Sequence, residues 1–141
     1  MRISTKGRYA LCVMLDLAQN GTDGCVALKD IAERQNISKK YLEQIMALLN
    51  RQDVIKTVRG AQGGYKLART PDRYTVAEIL KLAEGSLAPV DELDDPSAPQ
   101  VPDWQLMYVW QGLYKAVNEY LEGITLQDIL DHNAQGFDYI I

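Results

Sequence analysis

Along most of the chain apolar residues recur at steps of three and four, the spacing that places them on one helix face. The segment from Ser4 to Ala18 is apolar on nearly every side from Tyr9 onward. It predicts a buried helix with Ser4 as N-cap, broken by Gly21 and Gly24. Leu28, Ile31 and Ala32 predict a short second helix with Lys29, Asp30, Glu33 and Arg34 on its other face and Asn36 at its end. Ser38 opens a third, in which Tyr41, Leu42, Ile45, Leu48 and Leu49 face inward and Lys39, Lys40, Glu43, Gln44, Asn50 and Arg51 outward. Only a few residues separate these two helices, as in a helix-turn-helix.

The period then changes. Val54 to Val58 is a β-branched stretch, and after Gly60-Ala61-Gln62-Gly63-Gly64 the chain resumes with Tyr65-Lys66-Leu67, which predicts a hairpin with a glycine-rich loop. Thr75-Val76-Ala77-Glu78 has the form of a capping box and opens a helix that stops at Gly85. Between Pro89 and Pro102 lie four of the five prolines and a cluster of carboxylates, the mark of a linker or ordered loop. Beyond it Trp104, Met107, Trp110 or Gln111, Tyr114, Val117, Leu121 and Ile124 form an apolar stripe on a long helix. A second copy of the chain would bury that stripe, and so would the chain's own domain. Thr125-Leu126-Gln127-Asp128 begins one more short helix, followed by a tail from Gly136 to Ile141. The expected organisation is residues 1–85 as a winged helix-turn-helix, 86–103 as an acidic, proline-rich loop, and 104–141 as a dimerisation helix, short helix and tail. The fold class is α+β, mainly α.

Length changes little in this picture, since 141 residues bury one ordinary core with an appendage. The longest apolar run, Tyr9 to Leu15, falls short of the roughly 18 residues of a membrane span, and no leader pattern is seen, so a cytoplasmic protein without membrane contact is expected. Charge changes more. The net −4 conceals 13 Lys and Arg against 7 Asp and Glu from Met1 to Thr75, and 2 against 12 from Val76 to Ile141, or +6 and −10. A basic half beside an acidic half points to one surface for a polyanion and another that repels it.

The candidate DNA contacts follow from that split. Ser38, Lys39, Lys40, Tyr41 and Gln44 lie at the N-terminal end of the third helix, the end a recognition helix pushes into the major groove. Gln44 suits an adenine edge. Arg59, where the first strand meets the glycines, suits a narrow minor groove. A nucleotide-phosphate loop is disfavoured, because no Lys-Ser or Lys-Thr follows the glycines and no helix starts after them. With one histidine and no metal-spaced ligands, no catalytic constellation is visible, and neither a cofactor nor a metal is expected.

Met1 to Ala10 (Met-Arg-Ile-Ser-Thr-Lys-Gly-Arg-Tyr-Ala), Tyr41-Leu42-Glu43-Gln44-Ile45 and Val58-Arg59-Gly60-Ala61-Gln62-Gly63-Gly64-Tyr65 resemble the three signatures of the Rrf-two family of winged-helix regulators. The resemblance is close over the first 90 or so residues and extends to almost the entire chain. It implies a homodimer on a palindromic operator in double-stranded DNA, with the long helix (Trp104, Met107, Trp110, Tyr114, Val117, Leu121) crossing between subunits. It also implies DNA contact at Arg2, Ser4, Thr5 and Lys6, beside Ser38 to Gln44 and Arg59. Many members hold an iron–sulfur cluster with three cysteines in the loop before the dimer helix. This chain has only Cys12 and Cys25, both elsewhere, and Met107 stands where some members place a histidine ligand. His132, alone near the end of the chain, is expected as an exposed helix-end residue.

The sequence is most similar to the cluster-free branch of that family, the cysteine-metabolism repressors, in which a partner enzyme, O-acetylserine thiol-lyase (cysteine synthase), reads the signal. The tail Tyr139-Ile140-Ile141 resembles the isoleucine-terminated segment with which serine acetyltransferase occupies that enzyme's active site. A disordered or packed tail is the alternative. Two other readings stay open: an adaptor of a metabolic enzyme with weak or no DNA binding, and a thiol switch at Cys25, which follows a glycine-rich turn. Cys12, inside the most apolar helix, is expected to be an inert core residue.

Overall fold

A computed structural model of the protein describes residues 2–21, 24–95, 97 and 103–135. Its helices are α1 (Thr5–Asn20), α2 (Leu28–Gln35), α3 (Lys39–Arg51), α4 (Val76–Glu84), α5 (Met107–Glu122) and α6 (Leu126–Ala134). Between α3 and α4 run strands β1 (Ile55–Val58) and β2 (Gly64–Leu67). This is the mainly helical α+β winged helix read from the sequence.

Local side chains set the helix limits. Ser4, Ser38, Thr75 and Thr125 each accept a hydrogen bond from the backbone N–H three residues on, relieving one of the donors a helix start leaves unpaired. Asn36 ends α2 in the left-handed conformation at φ 53°, and the buried Ile37 then donates its N–H to the Ala32 carbonyl. That compact turn fixes α3 against α2. The Thr75 capping box is only half formed. Thr75 caps the Glu78 N–H, but the Glu78 carboxylate pairs with Arg69 instead of reaching back. The complete box is at Thr125, where Asp128 returns the bond.

β1 and β2 form an antiparallel hairpin with Ile55 opposite Leu67 and Lys56 opposite Lys66. A further bridge joins Val26, just before α2, to Tyr65 through two N–H···O bonds of 2.8 Å. A Cβ on Gly64 would lie 2.3 Å from the Val26 carbonyl oxygen, so glycine is required for this approach. The hairpin is thereby tied to the start of the helix-turn-helix.

The core joins Val13, Met14 and Leu17 of α1, Ile31 of α2, Leu42, Ile45, Met46 and Leu49 of α3, Val54, Ile55, Tyr74 and Ile79. Leu126 of α6, fully buried, belongs to the same core. Backbone bonds from Val76 N–H to Ile124 O and from Leu126 N–H to Tyr74 O dock α6 against the start of α4. Residues 104–135 therefore split. α6 completes the N-terminal core, whereas α5 leans on it through one side alone.

No residue of α5 is fully buried. Tyr114 and Leu121 pack on Val76, Leu80 and Leu87, while Met107, Trp110 and Val117 are half-buried. Trp110 donates its indole N–H to Asp103 at 3.0 Å. Trp104, in a 3-10 turn before α5, is exposed. A second apolar row, Leu106, Val109, Leu113 and Tyr120, looks outward and is 46, 39, 39 and 70% exposed. Of the described residues, no helix is long and apolar enough to cross a membrane.

Candidate nucleic-acid interface

Two segments far apart in sequence, the start of α1 and α3, meet at one groove, and the hairpin adds a third exposed cationic segment. Lys39, Lys40 and Gln44 are exposed in the first two turns of α3, with Ser38 capping the helix at its start. Tyr41 is half-buried, its ring edge-on to Tyr9 of α1 with centroids 5.7 Å apart. That contact seats α3 beside the N-terminal end of α1. Lys6, Tyr41, Gln44, Ile45, Leu48 and Arg51 consequently line one groove of about 190 Å³, with an apolar floor and cationic walls. Arg2, Thr5 and Lys6 are exposed. Ser4 is already engaged, donating its N–H and its hydroxyl to Glu84 at 3.0 and 2.6 Å.

The hairpin carries the third segment. Arg59 is exposed at the end of β1, followed by Gly60 at φ 114°, a conformation only glycine adopts without strain. Gly63 closes the turn by donating to the Gly60 carbonyl, and a Cβ there would lie 2.2 Å from the Val58 oxygen. Lys56 and Lys66, both exposed, face each other across the strands. Opposed like charges weaken a hairpin, so the pair suits a surface that meets a polyanion.

Buried polar groups hold this face in place. Asp16 is the buried charged residue of the described chain. It accepts from Arg34 at 3.0 and 2.8 Å and from Gln35 at 2.9 Å, locking the end of α2 to α1. Burial pushes its carboxyl up, but these hydrogen bonds and the Arg34 charge outweigh burial and hold it below the usual carboxylate range. At the base of the hairpin the buried Tyr74 hydroxyl accepts from Ala68 and Arg69 N–H, both at 2.9 Å, and donates to the Val54 carbonyl at 2.6 Å. The Arg69 guanidinium lies 4.5 Å from the Tyr74 ring centre and makes a bidentate pair with Glu78. Burial raises the Tyr74 pKa, so its hydroxyl stays protonated.

The family model described as "Iron-dependent Transcriptional regulator", Rrf2, matches residues 3–132. The chain belongs to the Rrf2 (Rrf-two) family of transcriptional regulators. It is 38% identical over 132 residues to the HTH-type transcriptional regulator CymR of Bacillus subtilis strain 168, covering 94% of this chain and 91% of the relative. The solved structure of B. subtilis CymR, described as the Global Cysteine Regulator, superposes with a TM-score of 0.78 at 37% identity, covering 94% of this chain and 98% of that one. T. potens IscR gives 0.77 at 41% identity, covering 94 and 88%. The family model and both CymR matches are named as regulators, and no enzyme family is indicated.

Iron in this family raises a question of ligands. A thiolate-held cluster needs several cysteines converging, and this Rrf2 chain has two. Cys12 is half-buried in α1, more open than a core position, and Cys25 precedes α2 with its thiol donating to the Gln62 carbonyl at 3.2 Å. The segment between α4 and α5 contains no cysteine, and the described residues hold no group of three or more His, Cys, Asp and Glu fit for a metal. The donor set does not fit a cluster.

The sequence-read contacts Lys6, Tyr41 and Gln44 do converge. Arg51, Lys56 and Lys66, outside the candidate contacts read from the sequence, are further exposed cations whose outward charge near the motifs was a usable signal. Glu84, Asp16 and Tyr74 carried no local signal. Tyr139, Ile140 and Ile141 lie outside the described residues.

Proposed function

We propose that this Rrf2 regulator is a dimeric repressor of cysteine or sulfur metabolism genes. It reads a palindromic operator with α3 in the major groove, the Arg2–Lys6 segment on the backbone and Arg59 in the minor groove. The observation that carries the DNA reading is the groove in which Lys6, Gln44 and Arg51, from two helices, line one wall-and-floor surface above Tyr41. Identity alone does not separate the CymR-named from the IscR-named relatives. The cysteine inventory favours the former, with the signal read by O-acetylserine thiol-lyase rather than by a cluster. The outward row that begins at Leu106, just before α5, supports the homodimer, since Leu106, Val109, Leu113 and Tyr120 with Ala116 between them follow the three-four spacing of a helix seam.

The test has two parts. Duplexes selected by the protein from a random pool should be palindromic, and affinity for them should fall steeply with salt; a protein that selects nothing is an adaptor instead. Pull-down from cytosol should capture a thiol-lyase that O-acetylserine releases, and loss of capture on removing Ile140 and Ile141 would place the contact in the tail. If no thiol-lyase is captured, Cys25 is the next sensor to examine. Its hydrogen bond to Gln62 joins the thiol to the hairpin turn, so oxidation would disturb the Arg59 segment.

A further inference from the structure

The contact between Ser4 and Glu84 spans 80 residues and reaches the point where the N-terminal DNA-contact segment becomes helix. One oxygen of Glu84, Oε1, accepts both the Ser4 N–H at 3.0 Å and the Ser4 hydroxyl at 2.6 Å. The same Ser4 hydroxyl accepts the Gly7 N–H at 3.1 Å, so it caps α1 while Glu84 holds it from the other side. Gly7 is buried and faces this carboxylate; a Cβ there would fall 2.2 Å from Oε1 and 3.3 Å from the Leu80 side chain. Glycine thus keeps open the space that Glu84 enters.

The sign of the charge makes the arrangement informative. Arg2, Lys6 and Arg8 lie within four residues of Ser4, at a helix start with no acid of its own in its first turn, a place that favours an anion. A carboxylate delivered there from α4 repels DNA phosphates and takes the Ser4 N–H and hydroxyl, while the Ser4 hydroxyl takes the Gly7 N–H. By charge alone Glu84 weakens DNA binding. Its geometry does the opposite, because Ser4 is the junction from which Arg2, Thr5 and Lys6 project.

We propose that Glu84 is a positioning residue for DNA binding, fixing the Ser4 junction so that the Arg2–Lys6 segment is held in register with the α3 groove. This rests on the DNA-binding reading above. Beyond Gly85, which ends α4, Ser86 bonds Asp94, and Asp94 accepts from Tyr114 of α5 at 3.5 Å.

The experiment uses the full chain and the duplex the wild-type protein selects from a random pool; if the wild type selects none, the DNA-binding reading fails before this one is tested. Glu84→Ala, Glu84→Gln and Gly7→Ala are compared by affinity and salt dependence, with circular dichroism and melting as the folding control. Both bonds go to one oxygen, so the side-chain amide carbonyl of the E84Q variant can accept them, and E84Q should bind at least as tightly as wild type. E84A should lose about tenfold or more in affinity, with the salt slope falling by about one as a phosphate contact is lost. G7A keeps the carboxylate but displaces it, and should behave as E84A does. Adding Lys6→Ala to E84A should then cost far less than Lys6→Ala alone. E84A binding as tightly as wild type or tighter, E84Q losing as much as E84A, or G7A binding normally would each overturn the proposal.

Discussion

At the scale of single residues, the buried Asp16 carboxylate ties α1 to the end of α2. Its partner Arg34 is 41% exposed, so the pair is partly screened. Asp16→Asn should still destabilise the protein by roughly 2–3 kcal/mol at neutral pH, because Arg34 and Gln35 lose a charged acceptor. The folded pKa lies below the ordinary 3.8, so this contribution is full above that value and is lost as pH falls through the lower, folded one. Urea unfolding across pH should therefore show the wild type and Asp16→Asn converging in acid. Tyr74→Phe tests the hairpin base in another way. It leaves the Ala68 and Arg69 N–H groups and the Val54 carbonyl without the hydroxyl they share, for about 2 kcal/mol. Hydrogen exchange should show faster opening at Ala68 and Arg69 than at the α1 core.

At the scale of elements, α5 has two apolar sides with different duties. Tyr114 and Leu121 face the Val76, Leu80 and Leu87 cluster, so Leu121→Ala should cost about 2 kcal/mol in the fold itself, the lower end for a core leucine because the site is half-buried. Leu113 faces outward, and Leu113→Glu should leave secondary structure intact but abolish, in light scattering, the dimer proposed above. The opposite pattern, a dimer lost in Leu121→Ala and kept in Leu113→Glu, would assign the intersubunit side to the stripe beginning at Met107. Sequence periodicity found that stripe because its spacing is helical. It did not rank the two sides, since both are apolar and burial depends on what α4 presents.

At the scale of the molecule, the charge halves of the sequence do not stay apart in the fold. α6, from the acidic half, completes the core of the basic helices through Leu126, while α5 leaves an apolar row exposed. The net −4 leaves the DNA reading dependent on local charge, and the salt slope reports it. Removing Lys6, Lys39, Lys40 or Arg59 singly should each lower that slope by about 0.9 if it contacts a phosphate, whereas Lys115, exposed on α5, should leave it unchanged.

What the sequence determined by itself was mostly local. Ser4, Ser38, Thr75 and Thr125 each cap a backbone donor three residues away, and Asn36 turns the chain within its own residue, so helix limits and the helix-turn-helix follow without the rest of the fold. The exposed cations of α3 were legible for the same reason: a helix whose other face is apolar leaves them one direction to point. Tertiary structure alone decided which acid meets which base and which apolar side is inward. Glu78 had a local partner at Thr75 and took Arg69; Asp16 waited on Arg34, and Ser4 on Glu84. Such pairings join residues that only packing brings within about 3 Å, and no period along the chain encodes that distance.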